Sequence, residues 1–161
     1  MGAMAFGGIG LLQLVVHDEG APDAASWARY MTESRQWLQR AGGDYARMSA
    51  LILSDRGVPT RDQRAEFMAF LSGHQVRSAL VSRSVLVRAV VASVNLFNPA
   101  MRSFSPHQVS AALRHLQFPP TRNKEVLAAL QHLAPRIPTA RGLRELLDAE
   151  QRNAAVSPLS L

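Results

Sequence analysis

His17, Asp18, Ser54 and Asp55 are the residues whose types come nearest to a reactive set. Each pair stands at the end of an apolar run, Gly8–His17 and Met48–Leu53, that reads as a strand. In open parallel sheets ligands bind in the crevice outside the carboxyl ends of the strands. The four residues are therefore expected to line a crevice for a small polar ligand. Ser, His and Asp also make a hydrolytic triad, but the serine then needs a strained strand-to-helix elbow, and the Gly-x-Ser-x-Gly sequence that builds one is absent. No catalytic residue is assigned. The histidines His17, His74, His107, His115 and His132 include no His-Glu-x-x-His pair, so no metal site and no cofactor is expected. Gly7-Gly8-Ile9-Gly10 precedes its strand, whereas a phosphate cradle lies between strand and helix. Phe97, Phe104 and Phe118 sit at element ends without interleaved basic residues, which suits core packing better than base stacking.

A second kind of chemistry is hydrophobic. Ser82–Phe97 is apolar almost all round, with Arg83 and Arg88 its only charges. The run is rich in β-branched residues, but its length, its Ser82 or Ser84 cap and its Asn98-Pro99 stop favour a helix. A helix on one side of a sheet needs a single apolar stripe. The excess is expected to lie beneath C-terminal helices, in a homo-oligomer or partner interface, or against a membrane surface. The interaction residues chosen on this ground are Val87, Arg88, Val91 and Val94.

These groups need a scaffold. Asp23 is a fair N-cap for a helix reaching Ala41, with Trp27, Met31, Ser34, Leu38 and Ala41 inward and Gly42-Gly43 as its stop. Thr60-x-x-Gln63 has capping-box spacing and opens a helix to about Ser72 that should bury Phe67, Phe70 and Leu71. Val76–Val81 and Met101–Phe104 read as strands. Ser105-Pro106 starts a helix with Val109, Leu113 and Leu116 on one face. Helices over Arg122–Leu133 and Ala140–Ala149 follow Pro119-Pro120, and about Asn153–Leu161 reads as a frayed tail. Strands alternating with helices argue for an α/β fold: a small, mostly parallel sheet of about four strands with packed helices, plus a C-terminal helical extension. The expected organisation is a domain over 8–118, the extension over 119–152 and the tail over 153–161.

Composition bounds the rest. The 161 residues are 47% hydrophobic and 19% charged, which is globular rather than disordered. The absence of cysteine excludes a disulfide scaffold, a thiolate metal site and a cysteine nucleophile, and fits a cytoplasmic protein. The net charge of +6 comes largely from arginine, with Lys124 the sole lysine. The arginines are spread along the chain, as compositional bias alone would spread them. Nucleic-acid or anionic-surface binding through Arg114, Arg122, Lys124, Arg136, Arg141 and Arg144 stays open as an alternative. The first twenty residues lack the basic n-region of a signal peptide, and Arg77, Arg83 and Arg88 interrupt the longest apolar stretch, so no transmembrane segment is expected.

Two stretches carry a family likeness. Ala50–Asp55, a strand ending in a polar turn, runs into VPTRDQRAEFMAF; and MRSFSPHQVSAALRHL reads as a short strand, a turn and a closing helix with an Ala-Leu core. Over roughly 8–118 the chain resembles the SpoIIAA-like (STAS-like) domains, small α/β proteins of bacterial signalling. That family's phosphorylated motif, of the Asp-Ser-Ser/Thr-Gly type, has no counterpart here; Ser54-Asp55 and Thr60 are the nearest positions. The resemblance implies a non-catalytic interaction or regulatory module with a protein partner or a second copy of itself. A small-ligand-binding domain is the further alternative.

Overall fold

Gly10 takes a positive φ of 59°, and this one residue turns the first apolar run back on itself. The run expected as a single strand is a hairpin: β1 (Met4–Ile9) pairs antiparallel with β2 (Leu12–His17) across a two-residue loop with glycine at its first central position. The computed structural model describes residues 2–94 and 98–133, with Arg136, Asp148 and Arg152 beyond them, and only the backbone of residues 93 and 94. After β2 come α1 (Ala24–Arg40), β3 (Ser49–Ser54), α2 (Arg61–Leu71), β4 (Arg77–Val81), α3 (Val85–Val94), β5 (Met101–Phe104), α4 (Val109–His115) and α5 (Asn123–Leu133). The sheet has five strands rather than about four, in the order β1-β2-β3-β4-β5, and all pairs after the first are parallel.

Each parallel strand lies beside the one before it. Right-handed crossovers then place α1, α2 and α3 on one face. The strands' period of two sorts their side chains accordingly. Leu12, Leu14, Val16, Leu51, Leu53, Ala79 and Val81 face α4 and α5 in the largest apolar cluster. Gln13, Val15, His17, Ala50, Ile52, Ser54, Ser78 and Leu80 face the three crossover helices. On the α4/α5 side, Val109, Ala112, Leu113 and Leu116 share one core with Val126, Leu127, Leu130 and Leu133 from beyond Pro119-Pro120. The expected helix over Ala140–Ala149 and the 153–161 tail lie outside the described residues, save that Asp148 and Arg152 are helical.

The local signals act as their chemistry requires. Asp23 accepts from the Ser26 N–H at 2.7 Å. Thr60 and Gln63 complete a capping box, with Gln63 N–H on Thr60 Oγ1 at 3.2 Å and Thr60 N–H on Gln63 Oε1 at 2.8 Å. Ser72 ends α2 in the left-handed region at φ 49°. Yet α2 buries only Leu71; Phe67 and Phe70, expected in the core, are half-buried. The helix that should cover the central strand stands off it.

Candidate functional site

A cavity of about 150 Å³ lies under α2, walled by the inner face of all five strands and roofed by α1, α2 and α3. Its middle band is apolar: Val15, Ile52 and Leu80 are consecutive partners across β2, β3 and β4. Ile52, on the central strand, is half-buried rather than buried. Trp27, Tyr30, Phe67 and Phe70 supply aromatic walls, and the Tyr30 ring stacks on Phe67 at a centroid distance of 5.5 Å. An indole N–H···carboxylate bond of 2.6 Å from Trp27 to Glu66 ties α1 to the roof helix. Half-buried Val58, Pro59, Arg64, Met68 and Val90 mark the side of the cavity between α2 and α3.

The polar lining is sparse and sits at two levels. At the carboxyl end of the sheet, His17 and Ser54 are registered partners. Four residues back along β2, Gln13 shares a level with Ala50 and Ser78, its successive partners. Ser54 Oγ donates to the Gly57 carbonyl at 2.8 Å and Ser78 Oγ to the Val76 carbonyl at 3.1 Å, so the donor of each hydroxyl is committed. His17 Nε2 and Gln13 Nε2 have no partner, although the two residues are only 3% and 4% exposed. Asn98 Nδ2 donates to the Val76 carbonyl at 3.3 Å, which leaves its buried Oδ1 without a partner as well. Buried polar atoms are nearly always paired. Ser34 Oγ on α1 lines the cavity and is unpartnered too, and four such orphans among the described residues mark a place where water or a ligand completes the set.

Apart from Arg64, the described side chains that line the cavity are uncharged. Burial lowers the His17 pKa to about 4, against the opposing pull of Asp18 and of the Gly20 and Gly57 carbonyls. With Nε2 unpartnered, those carbonyls are left to Nδ1, and an N–H there places a bare lone pair on Nε2. Gly57 is required for this approach, since a Cβ on it would lie 2.1 Å from the Asp18 carbonyl oxygen and 2.5 Å from His17 Cε1. Burial also pushes the Tyr30 phenol upward. Among the described residues Arg64 is the one lining side chain with a fixed charge, and its guanidinium donates to the Pro59 carbonyl.

Of the four crevice residues, then, the fold brings His17 and Ser54 together and leaves Asp18 and Asp55 out of the cavity lining. The reason is alternation: the residue after an inward one leaves the inner face. Asp18 instead accepts from the Glu19 N–H, and the Asp55 N–H donates to the His17 carbonyl at 3.4 Å. The crevice is also apolar in its bulk rather than polar. Gln13, Tyr30 and Asn98 are the site residues that sequence reasoning missed. Gln13 carried a signal, as the one polar residue inside an otherwise apolar strand.

The interaction residues need correction. Val87 and Val91 are 2% and 3% exposed and pack on Leu80 with Ile52, Val58 and Met101, so they are core. Arg88 folds back, donating to the carbonyls of Ser82 at 2.9 Å and Arg83 at 3.3 Å. The Val94 side chain lies outside the described residues. The exposed apolar pair on α3 is Val85 and Leu86, each 71% exposed. Among the basic candidates, Arg114, Lys124 and Arg136 are exposed, Arg122 pairs with Glu125 at 2.7 Å, and Arg141 and Arg144 lie outside the described residues. Among the described residues no cluster of acidic, His or Cys side chains fits a metal ion, and no helix is long and apolar enough to cross a membrane. No protein-family model, no curated protein and no solved structure matches the chain.

Proposed function

We propose that this chain is a non-catalytic binding domain whose ligand is a small, largely apolar molecule held between the sheet and α2. The observation that carries the reading is the cavity of about 150 Å³ beneath a roof helix with one buried residue, lined by apolar side chains and, among the described residues, four unpartnered polar atoms. Ligand sites are concave, mostly apolar and carry a few placed polar groups. An apolar void of this volume is large enough for a benzene-sized guest. The resemblance to SpoIIAA-like domains points the same way, towards a domain that regulates by binding. Thermal denaturation with a panel of neutral aromatic fragments tests the reading, because a ligand bound only by the folded state raises the melting temperature. Wild-type protein should respond to members of the panel, and Ala50→Leu, which places a side chain in the cavity, should not. A wild-type protein indifferent to every fragment at millimolar concentration would end this reading.

A second reading, a protein-interaction module, rests on Val85 and Leu86, an exposed apolar pair at the start of α3. It predicts that Leu86→Glu abolishes self-association or partner capture while the thermal melt stays unchanged. Association surviving that substitution would remove it.

A further inference from the structure

The unpartnered atoms of His17, Gln13 and Asn98 are sorted by level, and the sorting has chemical content. His17 and Gln13 project from the same face of β2, about 13 Å apart along the strand at 3.3 Å per residue. Between them the cavity wall is Val15, Ile52 and Leu80. At the upper level the Ser54 hydroxyl has already spent its hydrogen, and the unpartnered group is the His17 Nε2 lone pair, so this end offers acceptors. At the lower level the free groups are the Gln13 Nε2 donor and the Asn98 Oδ1 acceptor. No carboxylate lines the cavity among the described residues, and the Arg64 guanidinium is engaged by a backbone carbonyl. A cationic ligand would enter without a counter-charge, which burial penalises heavily. An anionic one would face the apolar band and the acceptor atoms with Arg64 as its sole counter-charge among the described residues.

Building on the ligand-binding reading above, we infer that the cavity selects an uncharged molecule with a ring-sized apolar body, a hydroxyl or N–H at the end facing His17, and a carbonyl at the end facing Gln13. The aromatic walls from Trp27, Tyr30, Phe67 and Phe70 suit a flat body. The half-buried residues between α2 and α3 leave an open side, so the ligand need not be enclosed entirely.

Four probes of one shape and about ten heavy atoms each, a size within the range where each atom can contribute measurably, separate the two end groups. They are 4-hydroxyacetophenone, 4-methylacetophenone (no donor), 4-isopropylphenol (no carbonyl) and p-cymene (neither). Their dissociation constants are measured calorimetrically on the full chain at pH 7. The inference predicts that 4-hydroxyacetophenone binds tightest and that losing either end group weakens binding about tenfold or more, since each loss leaves a buried polar atom unpaired. In His17→Phe the preference for hydroxyl over methyl should vanish while the preference for carbonyl remains; in Gln13→Leu the reverse should hold. Should either variant fail to fold, the four wild-type constants still decide the matter. Equal affinity for all four probes would overturn the end-group inference and leave the apolar cavity reading standing. Failure of every probe to bind would overturn both.

Discussion

His17 determines how the molecule responds to acid. Unfolded, its imidazole titrates near 6.5; folded, near 4. Between those values the unfolded chain binds a proton that the folded chain does not, so stability is full above about pH 6.5 and falls as pH drops towards 4. The shift corresponds to roughly 3 kcal/mol. Urea midpoints at pH 7 and pH 4.5 should therefore differ more in wild type than in His17→Phe. Equal losses in the two proteins would show that the ring is protonated in the fold. The residue scale is also where the sequence was least legible. His17 and Ser54 were visible as a pair because strand ends are visible. Gln13 was visible as a lone polar residue in an apolar run. Its cavity was not, because a period of two states that alternate residues share a face and does not state whether that face is filled.

At the scale of the element, α2 and α3 each depart from what their patterns suggest. The capping box at Thr60 and Gln63 and the helical reading of Val85–Val94 both follow from local chemistry, and both elements form. How deeply each helix sits depends on the sheet and on its neighbours, which local chemistry does not encode. Val87 and Val91 are inward because α3 presses on Leu80, and Val85 and Leu86 are outward by the same rotation. Val91→Asp should thus abolish the cooperative melt, since it buries an unpaired carboxylate. Leu86→Asp should change stability by no more than about 0.5 kcal/mol, as exposed substitutions do. Circular-dichroism melts distinguish them, and a folded, fully stable Val91→Asp protein would contradict the packing of α3. The standoff of α2 gives a paired contrast across the sheet. Ala79, fully buried against α4 and α5, should lose about 1–3 kcal/mol on substitution by leucine through overpacking. Ala50, beneath α2, should tolerate the same change with a smaller loss or none, because the added atoms enter the void. Equal losses at the two positions would mean that the inner face is as tightly packed as the outer one.

At the scale of the molecule, the sequential order of four parallel strands puts three crossover helices on one face and leaves the other to α4 and α5. The two faces differ in kind. The outer one is a continuous aliphatic core; the inner one mixes aromatic rings, Gln13, His17 and the cavity. Alternation of strands and helices made the α/β class legible. The antiparallel β1 was hidden because Gly8–His17 is apolar on both sides of the Gly10 turn, so hydropathy runs through the hairpin without a break. The central claim is that the inner face receives a small apolar molecule, and two isoleucines make it directly observable. Ile52 lines the cavity, whereas Ile9 packs against the opposite core. A titration of ¹³C-methyl-labelled isoleucine protein with 4-hydroxyacetophenone, followed by NMR, should move the Ile52 methyl resonance saturably and leave that of Ile9 in place. An Ile52 resonance that stays still, or one that drifts together with Ile9 without saturating, would contradict the claim.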